Sequence, residues 1–324
     1  MPPVFLLQPS IFVWDLTIAL LIAVALSVCL VCILCARRKK ARPILAAAIS
    51  AVGIVSFCIG ATVVYGSFVE PRMIRVTQYS VNLPVSEPLK IAVVSDLHVG
   101  PYKGIRFTEQ LVRTINNTLP DIVLLVGDFL YADESDFSAL APLADIRASL
   151  GVFGVLGNHD QGEHATIFGT RYSTLNRGED IAAELERLGV HMLRNQHSIS
   201  RGVDTLAIAG IDDLWTGDAD LDAAFDQLPE NVTTILLSHN PDVIEDSRSA
   251  RADLIVSGHT HGGQIRLPFL GPIRPMPIRI SQKYDQGLFT TDPSTQLAIT
   301  RGVGETWARA RLLAWPEVLI LDAS

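Results

Sequence analysis

Five short clusters hold the residues of this sequence that could do chemistry, and each follows an apolar run. "IAVVS" (Ile91 to Ser95) leads into Asp96 and His98, "IVLLVG" into Asp128, "VFGVLG" into Asn158 and His159, "TTILLS" into His239, and "LIVSG" into His259 and His261. Five of the eight histidines stand at these places. The runs have the length and β-branched content of buried strands, and ligands of open α/β sheets gather at the carboxyl ends of strands. The five clusters are therefore expected to converge. In an extended segment residues i and i+2 project to the same side, so Asp96 with His98, and His259 with His261, each read as a pair aimed at one place. Neighbouring glycines let the backbone turn sharply and groups approach closely.

With His159 to spare, the clusters offer two carboxylates, one amide and four imidazoles. Seven donors are too many for one tetrahedral zinc. If Asp128 were shared between two ions, each would receive four protein ligands and keep positions open for water and substrate. Two ions ~3.5–4 Å apart can activate water and clamp a phosphoryl oxygen, the arrangement of hydrolytic phosphoryl chemistry. An imidazole-rich donor set suits manganese, iron, zinc, cobalt or nickel better than magnesium. Cys29, Cys32, Cys35 and Cys58 all precede residue 71, so the rest of the chain can form neither a thiolate zinc site nor a disulfide.

Taken singly, a "GD" after a strand is usually a turn, and a lone histidine at a strand end is more often hydrogen-bonded than metallated. The ordered set of five carries the metal reading. His164, His191 and His197 fall outside it and read as surface or loop residues. Asp242 reads as the cap of a following helix. Asp212 and Asp213 read equally as residues orienting the site and as an acidic turn. Asp133, Glu134 and Asp136 read as a solvated helix start. The segment Gln161 to Gly178 has no clear period; its Arg171, Tyr172 and Arg177 are candidates for phosphate contact, with no role assigned.

The elements that must position these residues alternate. Strand-like runs at Ile91 to Ser95, Asp121 to Gly127 and Gly151 to Gly157 are separated by helical patterns at Phe107 to Leu119 and Ser135 to Ser149, and "EDIAAELERLG" adds a further helix. Later runs at Thr205 to Ala209, Thr233 to Leu237, Leu254 to Val256, Gln296 to Thr300 and Val318 to Leu321 make the second half richer in strands. This is an α/β domain, and two packed sheets with helices outside fit it better than one doubly wound sheet. No repeat, heptad or long linker divides residues 71–324, which are expected to form one domain.

The pieces "DLH", "GD", "GNHD", "SH" and "GHTH", in this order, resemble the calcineurin-like metallophosphoesterases. "GIDD", "SHNPD", "GHTHGGQ", "YDQG", "RGVG" and "WPEV" resemble the bacterial membrane-associated branch of that family, which includes lipid-sugar pyrophosphatases. The resemblance covers essentially all of residues 71–324. It implies a two-sheet β-sandwich flanked by helices, with Asp96, His98, Asp128 and His261 on one ion and Asp128, Asn158, His239 and His259 on the other. It implies that His159 is the general acid or stabilises charge on the leaving oxygen. The expected activity is metal-dependent hydrolysis of a phosphomonoester, phosphodiester or pyrophosphate, with a lipid-linked substrate in view. The alternatives are a nucleotide-sugar lipid pyrophosphatase of the UDP-diacylglucosamine type and a non-catalytic metal-binding scaffold. A missing ligand or "GNHD" histidine would favour the scaffold, and this sequence lacks neither.

Residues 1–70 differ from the rest. Runs at about 11–35 and 43–68 each exceed the ~20 apolar residues that cross a bilayer, so two transmembrane helices are expected. Between them "RRKKAR" (Arg37 to Arg42) carries five basic residues, which puts this loop in the cytoplasm and the catalytic domain outside it. A cleaved signal peptide would have a basic start and a shorter apolar core. Beyond residue 70 the chain has 21 basic and 32 acidic residues. That balance argues against nucleic-acid binding and gives no basis for docking flat on an anionic lipid surface. The expected partners are the bilayer and a phosphorylated small-molecule or lipid substrate; the sequence specifies no oligomeric state.

Overall fold

The computed structural model describes residues 9–37, 42–131, 136–166, 169–172, 176–201, 205–229, 231–292, 295–306 and 308–324. Two long helices come first, α1 (Pro9–Ala36) and α2 (Pro43–Val64), and α2 continues through a π turn (Tyr65–Val69) and a 3-10 turn (Glu70–Arg72). Both are long and apolar enough to cross a membrane. They pack on each other, with Ser56 Oγ donating to Ala25 O at 3.0 Å, yet leave Leu20, Val24, Leu30, Ile54 and Phe57 exposed. A helix apolar on all sides calls for an apolar surround. Most of the basic loop, residues 38–41, lies outside the described residues.

The chain then runs β1 (Arg75–Val81), β2 (Leu89–Val94), α3 (Ile105–Asn117), β3 (Ile122–Val126) and β4 (Val152–Val155). A hairpin of β5 (Glu163–Thr166) and β6 (Gly169–Tyr172) precedes α4 (Gly178–Arg187) and β7 (His191–Met192). There follow β8 (Gln196–Arg201), β9 (Thr205–Gly210), α5 (Leu221–Ala224), β10 (Thr233–Leu237) and β11 (Leu254–Ser257). A short pair, β12 (Arg266–Leu267) and β13 (Gly271–Pro272), leads to β14 (Gly287–Asp292), β15 (Thr295–Ile299) and β16 (Glu317–Ala323).

These strands form two six-stranded sheets, ordered β1-β16-β2-β3-β4-β7 and β14-β15-β11-β10-β9-β8. The period of two along each strand makes the sandwich. Ile122, Leu124 and Val126 of β3 meet Ile208, Ile235, Leu237, Leu254 and Val256 of the other sheet in the central layer. Val123 and Leu125 face the opposite way, under Leu111 and Ile115 of α3 and Ile181 and Leu185 of α4. Ala209, Leu236, Ile255 and Leu297 turn outward from the second sheet, beneath Leu221, Ala224 and Phe225. The fold is thus two sheets flanked by helices, as the sequence pattern leads one to expect. The expected helix near Ser135 to Ser149 is instead a 3-10 stretch, Phe137–Asp145, containing Pro142, which lacks the N–H an α-helix needs.

Strands β2, β3 and β4 run parallel, as do β9, β10, β11 and β15. Their carboxyl ends open on one edge of the sandwich, where loops of both sheets bond to each other. Asp96 N–H donates to Gly127 O and His98 N–H to Asp128 O, while His259 N–H crosses between sheets to Asp96 Oδ2 at 3.2 Å.

Candidate metal centre

Two groups of buried side chains meet at that edge. Asp96, His98, Asp128 and His261 each offer a ligand atom within 4.8 Å of the others, and Asp128, His239 and His259 form a second group of the same tightness. Asp128 belongs to both. Its Oδ2 lies 3.5 Å from His98 Nε2 and 3.2 Å from His239 Nε2. Asp96 Oδ1 lies 3.2 Å from His261 Nε2, and His259 Nδ1 lies 3.3 Å from His239 Nε2. The two histidines of "GHTH" therefore serve different groups.

The local backbone is left-handed, where the sequence leads one to expect an extended one. Asp96 (φ 52°), His98 (φ 44°), Asp128 (φ 57°), His259 (φ 68°) and His261 (φ 52°) all adopt the left-handed conformation. Such φ values are uncommon outside glycine and cost roughly 1–2 kcal/mol each. Alternation along a strand is thus not why Asp96 and His98 converge, nor does it aim His259 and His261 at one place. The chain coils past each strand end, and packing of the crossing loops holds it there. Gly127 (φ 78°) belongs to this crossing: a Cβ there would lie 2.6 Å from His239 Nδ1. A Cβ on Gly157 would overlap Asp128 Oδ1.

Main-chain carbonyls orient three imidazoles. His98 Nδ1 lies 3.3 Å from Leu130 O, His239 Nδ1 2.7 Å from Val126 O, and His259 Nε2 3.0 Å from Pro277 O. An N–H donated to its carbonyl leaves the other ring nitrogen of His98 and of His259 bare and facing the centre. Burial pushes His98 and His259 down to about 3, so both are neutral, the form that ligates metal. Burial acts on His239 too, but Asp128, Asp96 and Asp213 outweigh it and raise the imidazole well above the ordinary histidine range. Burial likewise opposes ionisation of Asp96 and Asp128, and the facing histidines overcome it and hold both carboxyls low. This concentration of buried carboxylates calls for positive charge.

Asn158 gives a separate test of fit. Its Oδ1 is buried without a hydrogen-bond partner among the described residues, beside His159, whose N–H donates to Asp128 Oδ1 at 3.0 Å. A buried amide oxygen left bare costs about 1–3 kcal/mol. A cation beside it would remove that cost, and the donor set of carboxylate, amide oxygen and neutral imidazole fits one. The His159 ring is half-buried and meets His98 edge-on at 4.9 Å. Trp215 closes the other side, edge-on to His259 at 4.5 Å.

Two residues for which the sequence suggests no role sit behind the centre. Asp160 accepts from the N–H groups of Asp128 (2.9 Å), Gly157 (2.9 Å) and Phe129 (2.8 Å), locking two donor loops together. Burial and the Asp128 charge push its carboxyl up to about 7 against the pull of those donors. It is the last letter of "GNHD", the one signal that could have found it. Arg311 is fully buried; it donates to the carbonyls of Gly304, Ala314 and Arg301 and holds Nη2 3.4 Å from His261 Nδ1. No motif marks it.

Asp242 is not a helix cap. Asn240 caps the 3-10 turn Pro241–Glu245, while the Asp242 carboxylate accepts from Arg279 N–H (2.9 Å) and Ile280 N–H (3.1 Å). It thereby ties down the segment whose Pro277 carbonyl orients His259. Asp213 takes the orienting side of its two readings: its Oδ1 accepts from Trp215 and Thr216 N–H, its buried Oδ2 has no hydrogen bond among the described residues, and burial raises it to about 6. Asp212 instead pairs with Arg194 at 3.0 Å. Asp136 caps the Phe137–Asp145 turn by accepting from Ser138 N–H; Asp133 and Glu134 lie outside the described residues. His191 is exposed against Phe153, and His197 bonds Ala224 O at 3.1 Å. Of residues 161–178, the backbone of the β5–β6 hairpin is described, residues 167–168 and 173–175 lie outside the described residues, and Arg177 stacks on Phe137 at 4.8 Å.

Residues 89–263 match the model of a family described as calcineurin-like phosphoesterase. The chain is 31% identical over 267 residues to the uncharacterized metallophosphoesterase YkuE of Bacillus subtilis, covering 79% of this chain and 87% of that one. It is 32% identical over 242 residues to the phosphodiesterase YaeI of Escherichia coli, covering 72% and 82%. It is 28% identical over 306 residues to the UDP-2,3-diacylglucosamine pyrophosphatase LpxG of Chlamydia trachomatis, covering 80% and 92%.

Proposed function

Because the chain belongs to the calcineurin-like phosphoesterase family, a family of hydrolases, we propose that it is a membrane-anchored, binuclear metal-dependent enzyme cleaving phosphoric ester or pyrophosphate bonds. The observation that carries this reading is the pair of ligand groups sharing Asp128. Asp96, His98, Asp128 and His261 would hold one divalent cation, and Asp128, Asn158, His239 and His259 the other. Once bound, the cations supply Lewis acidity and activated water at neutral pH. The remaining work falls to side chains: Asp160 keeps the Asp128 and Asn158 loops in register, Trp215 walls the site beside His259, and His159 donates a proton to the leaving oxygen.

Residues 1–70 are the anchor in this reading and residues 71–324 the catalytic domain, held outside the cytoplasm by the basic loop at the opposite end of the helices. The similarity to LpxG supports a second reading, hydrolysis of a nucleotide-linked lipid pyrophosphate. The test common to both is metal stoichiometry with turnover. The full chain, purified in mild detergent, should carry close to two transition ions and hydrolyse an aryl phosphodiester, and Asp128→Ala should lose both metals and activity. Full activity in that variant would remove the binuclear reading. Two bound metals with no turnover of mono-, di- or pyrophosphate esters would point to the non-catalytic scaffold.

A further inference from the structure

A cavity of about 440 Å³ lies where the long helices meet the domain. Ser67, Arg72, Lys103, Ile105, Arg106 and Arg309 are among the residues lining it. Arg72, Lys103, Arg106 and Arg309 face one acidic lining residue, Glu305, although the chain beyond residue 70 has an acidic excess. Lys103 is matched by Glu305 at 3.2 Å and Arg309 by Asp15 of α1 at 2.8 Å. Arg72 and Arg106 are exposed and have no carboxylate partner among the described residues; Arg72 donates to Phe68 O at 2.7 Å. The cavity's net charge is therefore positive.

Its level relative to the helices is set by the chain. Arg72 ends the apolar span Pro43–Arg72, and Asp15 stands near the start of the span Val13–Ala36. Both ends meet at the cavity, where Arg309 is held over Phe68 at 5.1 Å and Tyr102 at 4.4 Å. Phe68 and Ile105 are apolar and exposed beside it. A bilayer crossed by these helices would present its phosphate layer at this height and its acyl chains just below. Guanidinium groups suit phosphate because their planar fork can donate two parallel hydrogen bonds.

We propose that this cavity binds the phosphate headgroup of an anionic phospholipid from the leaflet on the domain side, with Arg72 and Arg106 as its charge partners. The proposal rests on the membrane-anchored reading above and concerns a site apart from the metal centre. A lipid seated there fixes the height of the domain over the bilayer.

The test is native mass spectrometry of the full chain in mild detergent, titrated with phosphatidylglycerol, phosphatidylcholine or inorganic phosphate. The full chain should retain one phosphatidylglycerol in preference to phosphatidylcholine. The double variant Arg72→Gln/Arg106→Gln, its fold checked by unchanged metal content, should lose that retention by roughly thirty-fold, the effect of two interfacial arginines. Equal retention of both lipids, or equal retention by the variant, would overturn the proposal. So would displacement of the lipid by millimolar inorganic phosphate, which would show a plain anion site. Alkaline extraction of cell membranes tests the anchor alone: release of the chain removes the anchored reading, whereas a chain that stays embedded but shows no lipid preference overturns only this proposal.

Discussion

Three imidazoles of the centre owe their orientation to carbonyl oxygens of Leu130, Val126 and Pro277, so the ring nitrogens that face the centre are set by the fold. His159, half-buried and edge-on to His98, is the residue proposed above for proton donation. His159→Gln should keep both metals, lose ~10²-fold or more of turnover with alkyl esters and lose less with nitrophenyl esters, whose leaving groups need no proton. Loss of a metal from this variant would make His159 a ligand; wild-type rates on every ester would remove its catalytic role. Asp213 gives a pH test. Burial lifts its carboxyl to about 6, above the unfolded value of ~4, so the stability it allows is full below pH ~4 and is lost as pH rises through 6. Metal-free Asp213→Asn, which keeps the acceptor for Trp215 and Thr216, should therefore be more stable than metal-free wild type at pH 7.5, by up to roughly 3 kcal/mol, with the gap closing by pH 4. With metals bound the order should reverse, because the lost charge helped to hold them; an unchanged melting order across pH would refute this account. The buried polar residues that meet at the edge of the sandwich were legible in the sequence because carboxylate, amide and imidazole types stand out after apolar runs. Asp160 and Arg311 were not, because they act through main-chain N–H and C=O groups, which every residue has.

The elements were legible where both faces of a strand are buried and not where one is exposed. β2, β3, β4, β10 and β11 read as continuous apolar runs, whereas β1, with the mostly exposed "RVTQYS", gives no such signal. The left-handed coiling after the strands was illegible as well, since φ there follows from loops of two sheets crossing rather than from local composition. That crossing makes Gly157 sensitive: Gly157→Ala, whose methyl would meet Asp128, should shift the shared carboxylate and cost ~10²-fold in turnover with loss of metal. Wild-type metal content would show that the loops can yield. The exit of α2 is a second sensitive point. Gly66 O accepts from Arg311 N–H at 2.8 Å, and buried Glu70 Oε1 accepts from Ala314 N–H at 2.8 Å, so the turns that follow α2 brace the loop whose Arg311 approaches His261. Glu70→Ala should weaken that brace by about 1–3 kcal/mol, lowering the melting temperature and the retention of the ion beside His261, and Glu70→Gln should restore both. Equal metal retention in all three proteins would separate the brace from the centre.

For the molecule as a whole, sidedness chooses between substrates. A reporter active only outside the cytoplasm should work when fused after Ser324 and fail when fused between Lys39 and Lys40; the reverse pattern would put the domain with cytoplasmic nucleotide-linked lipids and favour the LpxG-like reading. The order of the first sheet carries a different consequence. β16 lies between β1 and β2, parallel to the first and antiparallel to the second. Among the described strands, β1 therefore has no neighbour in its sheet until β16 is made. At ~5–20 residues per second the ribosome needs roughly ten to fifty seconds to cover that interval, far longer than a hairpin needs to form. During that interval β1 stands as an unpaired sheet edge just beyond α2, and the first sheet closes only when β16 is made.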